Sequence, residues 1–437
     1  MPIRFQRIAA WVAAALTVFS AQAARPSRPS PLPNIVLIVA DDLGYGDLGC
    51  YGQTRIQTPN LDQLAAEGMR FTQAYAGNTV CAPSRCTLIT GKHTGHSRVR
   101  SNTQVALTAD DITIPKVLRN AGYHSGAVGK WGLGWEGTSG HPNQQGFEEF
   151  FGYLDQLHAH DYYPVFLWRN SLPFFLPGNQ QGKRTDYSPA WLLRTATNFI
   201  RINEDRPFFL YFAPILPHAN NERGLVGMEV PDLGIYAKES WPDPERRKAA
   251  MITYLDTMVG SLLADLKKRH LDDETLVLFT SDNGPHAESG VDPAFFRSSG
   301  PLRGFKRDLY EGGIRVPLIA RWPGHIKAGT TNDRPVAFWD ILPTLADVAE
   351  TTTPRGLDGV SFAASLLGRK PDRDPKAMYW EFHERAEQQA ARIGAGAPAE
   401  QGHIELALEQ RPVGIEQILG GQRLCLHLDA DVAHILL

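Results

Sequence analysis

Three runs of almost uninterrupted apolar residues, at 34–40, 207–213 and 275–280, constrain the fold of this 437-residue chain more than any other feature. A strand that is apolar at nearly every position is covered on both faces of its sheet, whereas a half-exposed strand alternates. Ser125–Val128 and Val316–Ala320 are shorter candidates of the same kind. The chain therefore predicts a sheet with a layer of helices on each face.

Helical patterns lie between these runs. Within residues 245–269, apolar side chains recur every three or four positions, which indicates a helix with one buried face. Ser188 followed by Pro189 predicts the N-cap and the first position of another helix. The expected fold class is α/β, with a large, mostly parallel sheet flanked by helices and ligands bound beyond the carboxyl ends of its strands.

The first residues predict export. Arg4 and Arg7 precede an apolar run that is shorter than the roughly 20 residues needed to cross a bilayer. Ala21-Gln22-Ala23 then gives the small-x-small pattern that a signal peptidase cleaves. We expect a signal peptide at 1–23, an extended linker at 24–33, and a periplasmic or secreted protein without a stable membrane anchor; a single anchor is the alternative.

The end of the chain has a different composition. Beyond the candidate strand Met378–Phe382, no Phe, Tyr, Trp or Lys occurs. Two weak helices are predicted there, at Ala386–Ile393 and Ile404–Leu419. We expect a catalytic domain at 34–370, followed by a small C-terminal subdomain at 371–437 that is atypical or truncated.

Charge and cysteine content exclude two classes of protein. The formal net charge is −3, whereas a nucleic-acid-binding domain carries a basic footprint, so no nucleic-acid partner is expected. Four cysteines in a chain of this length are too few for a disulfide scaffold.

Polar side chains follow four of the predicted strands. The carboxyl ends of parallel strands meet at one edge of a sheet, so we expect these groups to converge. Taken singly, an Asp after a strand is most often a turn former or helix cap, and a lone His or Lys is most often structural or solvated. Together, three carboxylates and an amide oxygen suit calcium, or less well magnesium, and not zinc or copper. The set is Asp41, Asp42, Lys130, His218, Asp282 and Asn283.

Cys81-Ala82-Pro83-Ser84-Arg85 is the most distinctive motif. Pro83 suits the first position of a helix, which places Cys81 at the positive end, where an anion is favoured. An inert thiol, a disulfide to Cys50, Cys86 or Cys425, and a bare nucleophile of the Cys–His type are the alternatives. Spacing alone does not separate them.

This motif resembles the signature of the type I, arylsulfatase-like sulfatases of the alkaline-phosphatase superfamily, in which the cysteine becomes formylglycine (3-oxoalanine). The resemblance runs from about residue 34 to about residue 383. Further segments that are similar to motifs of the family, in the same order, are Asn34–Val36 with Asp41–Gly44, Thr58–Asp62, Gly122–Trp131, Ser281–Gly284, Gly300–Lys306 and Glu311–Pro317.

The resemblance implies a metal site and a nucleophile. Asp41, Asp42, Asp282 and Asn283 would hold a calcium ion, with modified Cys81 completing its shell. A hydrated formylglycine would offer one hydroxyl to attack sulfur and a second to release sulfate.

The resemblance also implies groups that hold the substrate. Arg85 would neutralise the formylglycine hydroxyl, Lys130 and Lys306 would bind sulfate oxygens, and His218 would protonate the leaving alcohol. Arg303, His158 and His160 are further candidates for the substrate pocket, as are His96, Arg98 and Arg100, although a basic rim is often only a solvated face.

One position departs from the family pattern. Sulfatases often carry a histidine two residues after the lysine at 130, where this chain has Gly132. His158, His160 and His286 are candidates to replace that imidazole, and a structural role for each is the alternative. Without a replacement, release of sulfate should be slow.

We therefore expect an exported sulfatase that acts on a sulfated carbohydrate or an aryl sulfate and is matured by a formylglycine-generating enzyme. A phosphoester or phosphonate hydrolase on the same scaffold is the enzymatic alternative. The second alternative is an inactive homologue that binds anions without turnover.

Overall fold

The computed structural model describes residues 32–370, 377–384 and 388–392, together with the backbone of short strands between 415 and 433. The predicted signal peptide, nearly all of the predicted linker and most of the predicted C-terminal subdomain lie outside the described residues. The domain boundaries therefore remain predictions.

A ten-stranded sheet forms the centre of the described fold. Its order is β11-β2-β10-β9-β1-β8-β4-β5-β6-β7, and the five strands from β9 to β5 run parallel, whereas β10, β6 and β7 are antiparallel to their inner neighbours. The strands are β1 (Asn34–Ala40), β2 (Met69–Phe71), β3 (Ala74–Tyr75), β4 (His124–Lys130), β5 (Glu149–Tyr153), β6 (Phe166–Arg169), β7 (Leu172–Phe175), β8 (Phe208–Ala213), β9 (Thr275–Ser281), β10 (Leu318–Arg321), β11 (Thr330–Asn332) and β12 (Val336–Ala337), of which β3 and β12 pair separately.

Helices cover both faces of this sheet, as the continuous apolar runs predicted. Val36 and Ile38 of β1 pack into one core with α1, α4 and α5, whereas Ile35 and Leu37 pack into the other core with α2, α3 and α7. The helices are α1 (Pro59–Ala66), α2 (Cys81–Thr90), α3 (Ile114–Arg119), α4 (Ser188–Ile202), α5 (Asp243–Lys268), α6 (Glu311–Ile314), α7 (Ile341–Val348) and α8 (Ala363–Leu366).

Helix α5 belongs to the core. Among the described helices it is the one whose length and composition suffice to cross a bilayer, but 56% of its most apolar window is buried within the fold. Its buried side chains include Met251, Leu255 and Leu262, from the face that the sequence periodicity predicted.

The structure corrects three local predictions. Ser188 is the first residue of α4 and not its N-cap, which is Tyr187. Residues Gln388–Arg392, predicted as part of a helix, form strand β14, because they pair antiparallel with β13 (Met378–Phe382). The part of the second predicted tail helix that the structure describes, Ile415–Leu419, is strand β15, which pairs with β16 (Gln422–Leu426). Two further strands, β17 (Leu428–Asp429) and β18 (Val432–Ala433), form a separate pair.

Candidate active site

The register of the central strands brings the predicted carboxylates together. Ala40 of β1 pairs with Ser281 of β9, so Asp41 and Asp282 leave the sheet side by side. Asp42 adopts a φ of 65°, in the left-handed region that a non-glycine residue seldom occupies, and its backbone N–H donates to Asp282 Oδ1 at 3.1 Å. This unusual conformation holds the two aspartates that follow β1 and the one that follows β9 in a single buried cluster.

Cys81 joins this cluster from the start of α2. Its Sγ lies 3.3 Å from Asp41 Oδ1, and the side chain is almost fully buried. Cys50, Cys81 and Cys86 are free thiols, which excludes the disulfides from Cys81 to Cys50 and to Cys86, whereas the side chain of Cys425 lies outside the described part of the chain. Burial, together with the charges of Asp282 and Asp41, raises the pKa of the Cys81 thiol well above its ordinary value. The unmodified thiol is therefore a poor nucleophile at neutral pH.

Arg85 ties the helix to the carboxylates from one turn further along α2. Its Nε and Nη2 donate to Asp282 Oδ2 at 3.0 and 2.8 Å, and its Nη1 donates to the carbonyl of Lys130. The side chain is fully buried, so this ion pair fixes the direction of α2 relative to the sheet edge.

Two buried lysines flank the aspartates. Lys130 Nζ lies 2.7 Å from Asp41 Oδ2, and Lys306 Nζ lies 2.7 Å from Asp42 Oδ2. Burial opposes the charge of each carboxyl and is the largest single effect on Asp41, but Lys130 and the other nearby cations together outweigh it and hold the pKa of Asp41 well below its ordinary value. Two ammonium groups at this site provide donors for the oxygens of an anionic substrate.

His218 lies just beyond β8 and faces Lys306. Its Nδ1 is 2.6 Å from the carbonyl oxygen of Ala219, which can only accept, so Nδ1 carries the proton. Nε2 is 3.2 Å from Lys306 Nζ and accepts from it. Burial and the charge of Lys306 lower the pKa of His218 to about 3, so the ring is neutral at neutral pH.

The carboxylate cluster also has the properties of a cation site. Ligand atoms of Asp41, Asp42, Cys81 and His218 lie within 4.8 Å of one another. Asn283 Nδ2 donates to Asp42, but Asn283 Oδ1 is buried and has no hydrogen-bond partner among the described residues. Such an oxygen requires a donor or a cation. Burial, with repulsion from Asp41, raises the pKa of Asp282 to about 7 despite its ion pair with Arg85. The residues present therefore fit a divalent metal.

The structure shows what surrounds the position of the expected histidine. A Cβ added to Gly132 would lie 1.9 Å from Nε2 of Gln156, so the Gln156 amide fills the space of the absent side chain. His160 enters the site from another direction, with its ring stacked on His218 at 4.5 Å and its Nδ1 3.1 Å from both carboxylate oxygens of Glu222. Burial and the nearby charge of Lys130 lower the pKa of His160.

Other predicted pocket residues lie differently. His158 Nε2 contacts the carbonyl of Phe166, and its ring packs against Tyr153. His286 contacts the carbonyl oxygen of Pro217, with its ring 6.3 Å from that of His218. The rim arginines and His96 are engaged with nearby partners: Arg303 with Tyr310, His96 with Asp358, Arg98 with Asp111 and Arg100 with Glu381.

Sequence reasoning missed three residues that contact the site. Glu222 orients His160, Glu288 lies 3.7 Å from Lys306 Nζ, and the Tyr211 hydroxyl accepts from Arg85. Tyr211 lies inside an apolar strand and Glu222 in a polar loop, so neither had a distinguishing signal. Glu288 follows the Ser281–Gly284 motif closely, and that proximity was the one available indication.

Comparison with known proteins agrees with this geometry. The family profile "Sulfatase" matches residues 33–351, and the profile "N-sulphoglucosamine sulphohydrolase, C-terminal" matches residues 304–401. Human arylsulfatase A is 36% identical over 368 residues, which cover 77% of this chain and 68% of the relative. Human N-acetylgalactosamine-6-sulfatase is 35% identical over 372 residues, which cover 79% of this chain and 68% of the relative.

A solved structure gives the same result. Ps i-CgsB in complex with k-i-k-neocarrahexaose superposes with a TM-score of 0.72 at 32% identity, covering 83% of this chain and 82% of that chain. Its likeness confirms the predicted α/β fold with a large central sheet, of the alkaline-phosphatase-like type. The profile match, the human relatives and the shared fold show that this chain belongs to the sulfatase family, whose members hydrolyse sulfate esters.

Proposed function

We propose that this protein is an exported sulfatase that removes sulfate from a sulfated carbohydrate, using a formylglycine made from Cys81 and a bound calcium ion. The observation that carries the proposal is the position of Cys81 Sγ, 3.3 Å from Asp41, in a buried cluster flanked by Lys130 and Lys306. Export rests on the apolar segment at the start of the sequence.

The modification and the metal have distinct supports. Conversion of Cys81 is favoured by the intact Cys81-x-Pro83-x-Arg85 motif and by the raised pKa of the thiol, which disfavours a bare thiolate mechanism. Calcium is favoured by an all-oxygen set from Asp41, Asp42, Asp282 and Asn283. When present, formylglycine supplies a hydroxyl nucleophile and calcium withdraws charge from the sulfate oxygens.

The residues of the chain would divide the remaining work. Lys130 and Lys306 donate to the sulfate oxygens from two sides, Arg85 holds the nucleophile in place through its position on α2, and the His218–Lys306 pair delivers a proton to the departing alcohol. Each group is already buried and held by hydrogen bonds, so little reorganisation is needed when charge shifts in the transition state.

The substrate class is supported by the relatives. Human N-acetylgalactosamine-6-sulfatase is named for a sulfated amino sugar, and the neighbouring solved structure was determined with a neocarrahexaose. A sugar alkoxide is a poor leaving group, and a site with a dedicated proton donor suits such a substrate better than an activated aryl ester.

Two measurements test the proposal together. Mass spectrometry of the tryptic peptide that contains Cys81 should show conversion of the thiol to the aldehyde. The same preparation should hydrolyse sulfate esters and lose activity on chelation of calcium. Faster turnover of a phosphonate or phosphate monoester than of the matched sulfate ester would instead support the phosphoester alternative.

A further inference from the structure

A second concave surface lies on the flank of the domain, away from the carboxylate cluster. A cavity of about 610 Å³ opens between α4, the end of α5 and strands β6 and β7. None of its lining residues belongs to the candidate active site. Arg201 and Arg269 lie at the ends of α4 and α5, which lead to the first residues of β8 and β9, so this part of the cavity lies toward the sheet edge opposite the active site.

Two arginines of this cavity are held by aromatic rings. The guanidinium carbon of Arg169 lies 5.5 and 5.0 Å from the ring centroids of Phe151 and Phe174, and that of Arg194 lies 5.4 Å from Trp191. Stacking on a ring engages the face of a guanidinium and leaves the in-plane N–H donors open. The guanidinium groups of Arg169 and Arg194 are therefore held in a fixed orientation, and the rings do not neutralise their positive charge.

The cavity carries a surplus of positive charge. Arg269 is paired with Asp265 and Glu204, and Arg201 donates to the side-chain oxygen of Asn198. Within the described part of the chain, no carboxylate partner occurs for Arg169, Arg194 or Arg201. Three uncompensated guanidinium groups thus surround one concavity in a chain whose net charge is negative.

Apolar surface adjoins these charges. Trp191 and Phe174 line the cavity, and Leu172, which is on the same face of edge strand β7 as Phe174 and pairs with Arg169, is 70% exposed. Aromatic and apolar faces bind the C–H faces of sugar rings, whereas planar guanidinium groups bind oxyanions through two parallel hydrogen bonds. The two features together match a ligand that alternates sugar rings with sulfate groups.

We propose that this cavity is a non-catalytic binding site for a sulfated polysaccharide chain, with Arg169, Arg194 and Arg201 as the sulfate contacts and Trp191 as the sugar contact. The proposal rests on the proposed function, because it places a second segment of the same class of substrate on the enzyme. A chain held at this site and at the active site would gain avidity through the effective concentration of its linked segments.

Binding by a protein that cannot turn over tests this site apart from catalysis. We would measure the affinity of the full chain carrying Cys81→Ala for dextran sulfate by isothermal titration calorimetry. Adding Arg194→Ala and Arg201→Ala should weaken binding by about tenfold or more, since the two changes remove two charge-assisted contacts to sulfate groups. Trp191→Ala should weaken binding as well.

A matched double variant controls for loss of charge. Arg246→Ala with Arg247→Ala removes two arginines that are paired with Asp243 at the other end of α5, and it should leave binding unchanged. Equal loss in both double variants, or no loss in the cavity variant, would overturn the proposal. So would binding of polyglutamate or of anionic lipid vesicles as tightly as dextran sulfate, since each would indicate a general polyanion surface. Because turnover is absent from the assay, failure of the proposed sulfatase activity leaves this result unaffected.

Discussion

Lys306 donates a hydrogen bond to His218, with 3.2 Å between Nζ and Nε2. His218 Nε2 does not donate to Lys306, because the single proton of the neutral ring is on Nδ1, which donates to the carbonyl of Ala219. Lys306 also contacts Asp42, and its pKa lies above the ordinary value because Asp42 and other anions outweigh the effect of burial. The proton that this pair can offer a departing alcohol therefore resides on Lys306 in the resting site, with His218 as its neutral acceptor.

Replacement of His218 by alanine should impair poor leaving groups most. A sugar hydroxyl departs as a strongly basic alkoxide and needs a proton, whereas nitrophenolate does not. We expect the rate on a sugar sulfate to fall by about 10²–10⁴-fold and the rate on nitrophenyl sulfate to fall far less. Equal losses on both substrates would show that His218 binds sulfate or shapes the pocket, and would leave Lys306 as the acid.

Cys81→Ala should abolish turnover while the protein stays folded. The substitution removes one buried sulfur and should cost about 1 kcal/mol of stability, which thermal unfolding would detect as a small decrease in Tm. Cys81→Ser should permit at most one transfer, visible as a mass gain of one sulfo group on the protein. Activity near that of the wild type in either variant would contradict the nucleophile assignment.

Removal of calcium should destabilise the fold. A ligand that binds only the native state contributes about 2.7 kcal/mol at a free concentration of about 100 times Kd. Chelation should lower Tm in the wild-type protein but have little further effect in Asn283→Ala, which lacks the orphaned amide oxygen. If chelation changes neither Tm nor activity, the metal assignment is wrong.

Calcium affinity should depend on pH near neutrality. In the metal-free protein the pKa of Asp282 is raised to about 7, so below that pH calcium must displace a proton. We expect Kd to rise by up to about tenfold for each pH unit below 7 and to level off above pH 8. Calorimetry in buffers of different ionisation enthalpy would count the proton released on calcium binding. A calcium affinity that does not change from pH 6 to pH 8 would contradict the predicted rise of Kd at lower pH.

His160 should act in the release of sulfate, the step that the family histidine at position 132 would serve. We expect His160→Ala to lower kcat on nitrophenyl sulfate while kcat/KM changes little, because kcat/KM reports only steps up to departure of the phenolate. Stopped flow should show a burst of nitrophenolate. Glu222→Gln should give a weaker form of the same effect, since it only orients the ring.

His158→Ala provides the matched control. His158 is two residues away but packs against Tyr153 and Phe166, so its loss should lower stability without a burst. A burst in the His158 variant, or parallel falls in kcat and kcat/KM for the His160 variant, would remove His160 from this role.

Much of the fold followed from local pattern. The uninterrupted apolar runs at 34–40 and 275–280 predicted strands buried on both faces, and the structure confirms strands at Asn34–Ala40 and Thr275–Ser281. The runs are short and rich in β-branched and aromatic residues, which favours a strand over a buried helix. The tail was predicted poorly: Gln388–Arg392 lacks a strand pattern but forms a hairpin with Met378–Phe382. Its Arg392 is held by Tyr75 and Gln73, more than 300 positions earlier, a contact that local sequence does not encode.

For the site, the sequence by itself determined which chemical groups are present and that they follow strand ends. The tertiary structure decided their distances and their proton positions. That His218 accepts from Lys306, that Gln156 fills the space at Gly132, and that Glu222 orients His160 all depend on contacts between residues far apart in the chain. Such contacts are set by strand register and loop packing, which a single sequence constrains only through the whole fold.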